Sequence, residues 1–521
     1  MEFIENNLSY LFDKFVPVRT LKPRPETKPW FTNEIKELIS KRDFAYKRWK
    51  RFKTIELREE YKFLRRKVVA AITKAKTKEI NDKFDAAINS KQKWSQIKKL
   101  GIVPSSNKEI DSSFTKLDEI NNMFVNVNVP TFASNTPEPP TERCSQSENS
   151  FYFHSVGEND VIDCIKSITS KAVGIDNIYP EFIKILLPVI LPYITHVFNN
   201  ILLRSDFPQS WKRAKVIPLP KDNGEFRPIS ILSYLSKILE KLMYRQMIKF
   251  LNDHCLLNKC QSGFRENRSC VTALIDVTEN IRECVDSNGV SILVLLDHTK
   301  AFNTVEPGIL CPKLSNRYMF SRSAANLISS YLTGRSQCVC VGDSYSNLLP
   351  VNRGVPQGSV LGPLLFNLYI NDLPEVLRSA KLHIYADDIQ LYSHCERGTV
   401  AQCIAGINAE LERIHNWAKD NCLCINPKKS KCLVISKRSL SLDGITPPCI
   451  NGDPINFSSS AKNLGVIFNR SLNWNNHVSS VVGRVYGMLR TLWRTQTYTP
   501  VKIRILLSKT YVISTLLHIC L

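Results

Sequence analysis

The chain has 521 residues, 43% of them hydrophobic, and a formal net charge of +22 at pH 7. That apolar share excludes a disordered or fibrous chain, and the length suits about three or four domains. The charge is the unusual figure. Residues 1–100 hold 26 Lys and Arg against 13 Asp and Glu, a local net of +13. Such an excess points to a polyanionic partner, with nucleic acid ahead of a membrane surface. The 16 cysteines are scattered from Cys144 to Cys520 with no secretory signal at the start, which speaks against a disulfide framework. The close pairs Cys338/Cys340 and Cys422/Cys424 are C-x-C without matching histidines, so zinc is not expected. Reduced thiols imply a cytoplasmic or nuclear protein, not a secreted one. The richest apolar window, Val360–Leu368, is too short for a bilayer, and no membrane segment is expected.

In chain order, KPWFTNEIKELISKRDFAYKRWKRF carries apolar residues near a 3.6-residue period, with Thr32 as N-cap. A second basic helix is expected over about Ile55–Asn89. Residues 130–150, rich in Pro, Ser, Thr and Glu, have the composition of a linker. Beyond them helices and strands alternate irregularly, an α+β pattern. Strands are expected at Val216–Pro220, Ser291–Leu296 and Gln337–Val341, and helices at Ile229–Leu251 and Gly358–Leu373. His383–Tyr392 reads as strand, tight turn, strand.

The chemistry gathers at carboxylates. Asp297 stands at the exit of the apolar strand SILVLL, and Asp387 and Asp388 lie adjacent in HIYADDIQLY. Neighbouring carboxylates repel and are costly to bury. If the two segments pair, three anions converge at one sheet edge. Hard divalent cations compensate such a set, Mg²⁺ where substrate phosphates complete its shell. Two ions would clamp the attacking and leaving oxygens of a phosphoryl transfer. Lys221 and Arg227, after the first strand, can hold a triphosphate as a point charge and as a planar fork. In RGVPQGSVLGPLLFNLYINDL, Gln357 offers an amide and Gly358 permits close backbone approach.

The motifs stand in a specific order: FRPISILSYLSKILEKLMYRQM (226–247), QSGFRENRSCVTAL (261–274), LLDHTKAFNTV (295–305), RGVPQGSVLGPLLFNLYINDL (353–373), YADD (385–388), LCINPKKSK (423–431) and KNLGVIFNRSLNW (462–474). Together they resemble the reverse transcriptase of non-LTR (LINE-type, jockey-like) retrotransposons. The segment KPWFTNEIKELISKRDFAYKRW is similar to what precedes the polymerase in those elements, so the resemblance covers nearly the whole chain.

The resemblance implies a right-hand polymerase of fingers, palm and partial thumb with a basic helical N-terminal extension. The extension would take 1–129, the linker 130–150, fingers and palm 151–470 (core about 201–470), and the start of the thumb 471–521. It implies Asp297 and Asp387 as principal metal ligands and Asp388 as the third catalytic carboxylate, with two Mg²⁺ that Mn²⁺ can replace. Phe302 corresponds to the bulky gate against a ribose 2′-hydroxyl, and Gln357 and Gly358 to the lining of the nucleotide pocket. Lys221 and Arg227 correspond to the fingers residues on the triphosphate. Lys429 corresponds to a general acid for pyrophosphate, with Lys428 and Lys431 as neighbours in KKSK. Leu464 and Gly465 correspond to the turn that supports the primer end. Partners would be an RNA template, a DNA primer or target and dNTPs, in a ribonucleoprotein of cytoplasm or nucleus. Asn303 stands where K-A-F-D has aspartate, and Asn469 replaces another. The expectation is a fragment of such an element without its endonuclease, ending early in the thumb. The contrasting expectation is a silent relic that only binds nucleic acid.

Overall fold

The computed structural model describes residues 30–86, 116–126, 150–221, 224–497 and 499–517, with six further positions besides. The expected linker falls almost wholly outside them. The chain packs as two compact units, one of Met1–Pro17 with Glu109–Asn473, the other of Val18–Lys108 with Trp474–Leu521.

In the smaller unit, α1 (Asn33–Phe52) starts where the Thr32 side chain accepts from the Ile35 amide at 3.4 Å, and stops at Lys53 in the left-handed region. Thr54 caps α2 (Ile55–Asp85) in the same way. The Trp49 and Tyr61 rings stack between the two helices at 5.8 Å. The apolar face expected of α1 is only partly internal. Ile35 and Ala45 are buried, but Phe44 and Phe52 are exposed and carry Arg48 and Arg51 over their rings. The guanidiniums cover aromatic surface that the small core has no room for.

Helix α3 (Leu117–Val125) belongs to the larger unit. Helices α4 (Glu158–Ser167) and α5 (Pro180–Arg204) follow. By length and composition alone α5 is apolar enough to cross a membrane, a test that a core helix of a soluble protein also passes. Ile183, Ile194 and Phe198 are apolar because they pack into the main core. β1 (Arg213–Pro220) and β2 (Phe226–Ile231) form an antiparallel hairpin, and α6 (Tyr234–Asp253) starts after Ser233. The expected helix from Ile229 is therefore strand for its first three residues: Pro228 is paired with Pro218, and β2 runs on in register with β1 to Ile231.

α7 (Cys270–Asp286) leads to β3 (Val290–Leu296), and α8 (Ala301–Thr304), α9 (Pro307–Tyr318) and α10 (Arg322–Leu332) lead to β4 (Arg335–Val341). β4 lies parallel to β1, while β5 (Ser344–Tyr345) and β6 (Leu349–Val351) pair with β4, giving one sheet. α11 (Gly362–Ile370) is shorter than expected, since residues 356–361 form turns, with Ser359 bonded back to the Pro356 carbonyl. β7 (Lys381–Tyr385), β8 (Asp388–Cys395) and, after α12 (Val400–Asp420), β9 (Lys431–Ser436) complete a second sheet in the order β7-β8-β3-β9, all antiparallel. β3 is central and paired on both edges, so its run VSILVLL is nearly all buried. Two small hairpins follow, β10 (Cys449–Ile450) with β11 (Asp453–Pro454) and β12 (Ser460–Asn463) with β13 (Val466–Asn469).

The C-terminal helices α13 (Asn475–Thr495) and α14 (Val501–Leu507) belong to the smaller unit. There Val481, Val485, Ile503 and Leu507 form a core with Ile80 and Phe84 of α2.

Candidate active site

The site is built by the register of β3 and β8. Leu296 pairs with Ile389, so one step on, Asp297 falls opposite Asp388 and His298 opposite Asp387. Tyr385 pairs with Asp388, leaving Ala386 and Asp387 as a two-residue turn. Ala386 takes φ of 57°, a conformation costly for an L-residue, so its surroundings must hold it. They do. Gln261 Oε1 accepts from the Ala386 amide at 3.0 Å and from the Gly263 amide at 2.7 Å, and its Nε2 donates to the Ala386 carbonyl at 3.4 Å. The strand-like run 260–262 also exchanges backbone bonds with Ile384 at 2.8 Å each. On the other side the His298 Nδ1 donates to the Asp387 carbonyl at 3.1 Å. Burial holds this imidazole below its ordinary pKa, so it is neutral and its Nδ1 carries the proton.

Asp297 is fixed through its backbone by the 423–431 segment. Its amide donates to Ser430 Oγ at 3.2 Å, and its carbonyl accepts from the Asn426 amide at 2.8 Å. Burial raises the Asp297 carboxyl above the usual range; Lys429 pulls it down, Asp387 raises it again, and Lys221 lowers it slightly. Asp388 stands exposed at the hairpin, yet crowding by protein, then Asp387, then Asp297, push it up to about 6. Burial and the neighbouring Asp387 charge thus raise both Asp297 and Asp388.

Among the described residues no three His, Cys, Asp or Glu side chains stand close enough to hold a metal ion. The side chains as they stand do not form such a cluster: Asp297 lies just past β3, Asp387 in the turn and Asp388 at the start of β8. The donors still suit a hard divalent cation: they are anionic oxygens, partly desolvated and mutually repelling, a state that a cation relieves. Asp297 and Asp387 would hold it, with Asp388 beside them.

The basic residues approach from the β1–β2 tip and the 423–431 segment. Glu225 lies between Lys221 and Lys429, 3.6 Å from each. Arg227 is exposed on β2 opposite Leu219. Phe302 stacks on Phe366 with centroids 4.5 Å apart, and its carbonyl accepts from the Val355 amide at 2.8 Å. The Gln357 carbonyl accepts from the Ser230 amide at 2.7 Å, while its Oε1 is buried with no partner among the described residues. Gly358 has φ of 118°, and a Cβ there would lie 2.5 Å from the Ser230 carbonyl oxygen. Leu464 and Gly465, both at positive φ, make the two-residue turn between β12 and β13. Asn463 at its base donates to Gln390 Oε1 of β8 at 2.8 Å, tying this hairpin to the strand that follows Asp388.

Reasoning from sequence passed over several residues that do this holding. Gln261 opens the run QSGFRENRSCVTAL, whose local pattern carries no sign of the contacts it makes. Glu240 is fully buried and accepts from the Val360 and Leu361 amides at 2.8 and 3.3 Å, which fixes the turn after Gln357 and Gly358. Burial raises its carboxyl. A charged residue on an otherwise buried helix face was the only signal.

Residues 219–468 match the family model described as reverse transcriptase (RNA-dependent DNA polymerase). They are a reverse transcriptase domain. Its mixed sheets and helices are those of a right-hand polymerase, a nucleotidyltransferase fold whose members use divalent metal ions. The chain is 31% identical over 350 residues to a probable RNA-directed DNA polymerase from transposon BS of Drosophila melanogaster, covering 64% of this chain and 38% of that one. It is 27% identical over 325 residues to the polymerase from mobile element jockey of the same species, covering 60% and 35%. With a probable polymerase from transposon X-element, also of that species, it shares 31% over 338 residues, covering 62% and 36%. The chain therefore spans under two-fifths of these relatives.

Proposed function

We propose that this chain is an RNA-directed DNA polymerase of a non-LTR retrotransposon, extending a primer 3′-end with deoxyribonucleotides. The reading rests on one observation: the β3–β8 register, in which Leu296 pairs with Ile389, brings Asp297 to Asp388 and the Ala386–Asp387 turn, about ninety residues later in the chain. Asp297 and Asp387 would hold two Mg²⁺, replaceable by Mn²⁺. When bound, such ions make the primer hydroxyl more acidic and neutralise the leaving pyrophosphate.

The chain's own residues do the rest. Lys221 and Arg227 bind the triphosphate, displacing Glu225 from Lys221. Lys429, freed from the same carboxylate, gives a proton to the pyrophosphate oxygen. The Phe302 ring, braced by Phe366, blocks a ribose 2′-hydroxyl. The Gln357 amide takes a sugar or base edge, and Gly358 lets the nucleotide approach the backbone. Leu464 and Gly465 support the primer end. In the smaller unit the exposed rings Phe44, Phe52 and Phe63, each under a cation, suit an RNA template or DNA, stacking bases and pairing phosphates. A ribonucleoprotein in cytoplasm or nucleus follows from these partners.

The test is incorporation of labelled deoxynucleotides on a primed homopolymer RNA with Mg²⁺ or Mn²⁺. The wild-type chain should incorporate label, and Asp387→Ala should abolish it. No incorporation by wild type, or incorporation that survives the substitution, refutes the assignment.

A further inference from the structure

Helix α3 lies some 180 residues before Asn303 in sequence, yet it reaches the short helix α8 that carries Phe302. Its docking is specific. Asn121 is fully buried, and its Nδ2 donates to the Ser346 side chain and the Asn347 carbonyl at 3.0 and 2.9 Å, while its Oδ1 accepts from Gln337 Nε2 at 3.0 Å. Asp118 accepts from the Asn347 amide at 2.7 Å. Leu117, Ile120 and Phe124 close an apolar cluster with Val216 and Val339 of the β1–β4 sheet.

This docking aims the helix C-terminus at residues 300–303. Carbonyls of a last helical turn lack intrahelical partners and form the negative end of the helix dipole. Two of them find donors at α8. Lys300 Nζ donates to the Met123 carbonyl at 2.8 Å, and Asn303 Nδ2 donates to the Phe124 carbonyl at 3.4 Å. Phe302 sits between these two anchors, with its own carbonyl held by Val355 from the opposite side. Phe124, Val125, Asn303 and Gln357 also share one narrow cavity of about 40 Å³, into whose walls the unpartnered Gln357 oxygen is built. Asn303 suits this place better than an aspartate, because an ionised carboxylate has no hydrogen to give the Phe124 carbonyl.

We propose that α3 is a positioning element of the nucleotide pocket: through Met123 and Phe124 it holds Lys300 and Asn303 at the start of α8 and so sets how strictly Phe302 rejects a ribonucleotide. The inference rests on the polymerase reading and on Phe302 as the gate. Two variants of the full chain test it in parallel by the ratio of kcat/KM for a deoxynucleotide and its ribonucleotide. Asn121→Ala loosens the helix at a residue that does not itself line the cavity, and Asn303→Leu cuts one link while the helix stays docked. Both should lower discrimination by about tenfold, since displacements under an ångström carry penalties of that order at a positioned group. Discrimination unchanged in Asn303→Leu overturns the proposal, even where Asn121→Ala fails to fold. A loss confined to Asn303→Leu, with Asn121→Ala folded and unchanged, places the effect in Asn303 alone and also overturns it. Absence of any incorporation by wild type refutes the polymerase reading instead.

Discussion

Gln261 is the side chain on which the Asp387 turn most depends, and replacing it gives a result that can be worked out in advance. In Gln261→Ala the Ala386 and Gly263 amides lose their acceptor, at 3.0 and 2.7 Å. Gln261 is buried at 3% exposure, so water does not readily replace it. A buried donor left without an acceptor costs about 1–3 kcal/mol, which makes about 2–6 kcal/mol for the two. That is a large fraction of the roughly 5–15 kcal/mol that stabilises an ordinary domain. The positive-φ conformation of Ala386 also loses its restraint, so Asp387 shifts and kcat falls by about a hundredfold. Gln261→Glu keeps an acceptor for both amides but places a carboxylate in a buried site next to the Asp387 turn, where desolvation and like-charge repulsion act against it, so it should lower both stability and kcat. Denaturant midpoints and primer-extension kinetics on the full chain measure both. If Gln261→Ala keeps kcat within about twofold of wild type, the clamp has no catalytic consequence and the reasoning fails.

Two glycines should resist any side chain. A Cβ on Gly263 would lie 2.2 Å from the Ala386 nitrogen, a collision with backbone that the hairpin cannot relieve by turning a side chain aside. Gly263→Ala should therefore lose both stability and incorporation, and a variant with wild-type melting and activity would contradict this. Gly358→Ala meets the Ser230 carbonyl at 2.5 Å and should raise KM for the nucleotide more than it lowers the melting temperature; an unchanged KM would count against it. The raised carboxylates predict a pH-dependent metal effect. Their folded pKa values lie above the unfolded ones, with Asp388 at about 6, so the metal-free fold is favoured by them at low pH and loses that advantage as pH rises through about 6. A divalent cation takes the ionised form. The rise in Tm on adding Mg²⁺ should be larger at about pH 7.5 than at about pH 5, and equal shifts at both would refute the repulsion argument.

The local features of the site were legible because they are properties of short segments. The continuous apolar run of β3 announced a buried strand, and Asp297 at its exit followed. The alternation around YADD announced two strands with a turn. Thr32 announced the start of α1. Segments with two competing signals were misread. Ile229–Ile231 continues an apolar helical pattern, but pairing with β1 draws it into a strand. Residues 358–361 are apolar enough for helix, yet Glu240 and Ser359 hold them in turns.

By itself, then, the sequence determined the elements, the carboxylates and the order of the motifs, since these depend on neighbours along the chain. Tertiary structure decided what depends on distant partners. It decided the register that sets Asp297 against the Asp387 turn, Gln261 and His298 as the restraints on that turn, and α3 as a wall of the pocket. Each is a hydrogen bond or strand pair between residues about 90 to 180 positions apart. Local periodicity carries no record of such pairings, because the same side chains would form the same helices and strands in any of several packings.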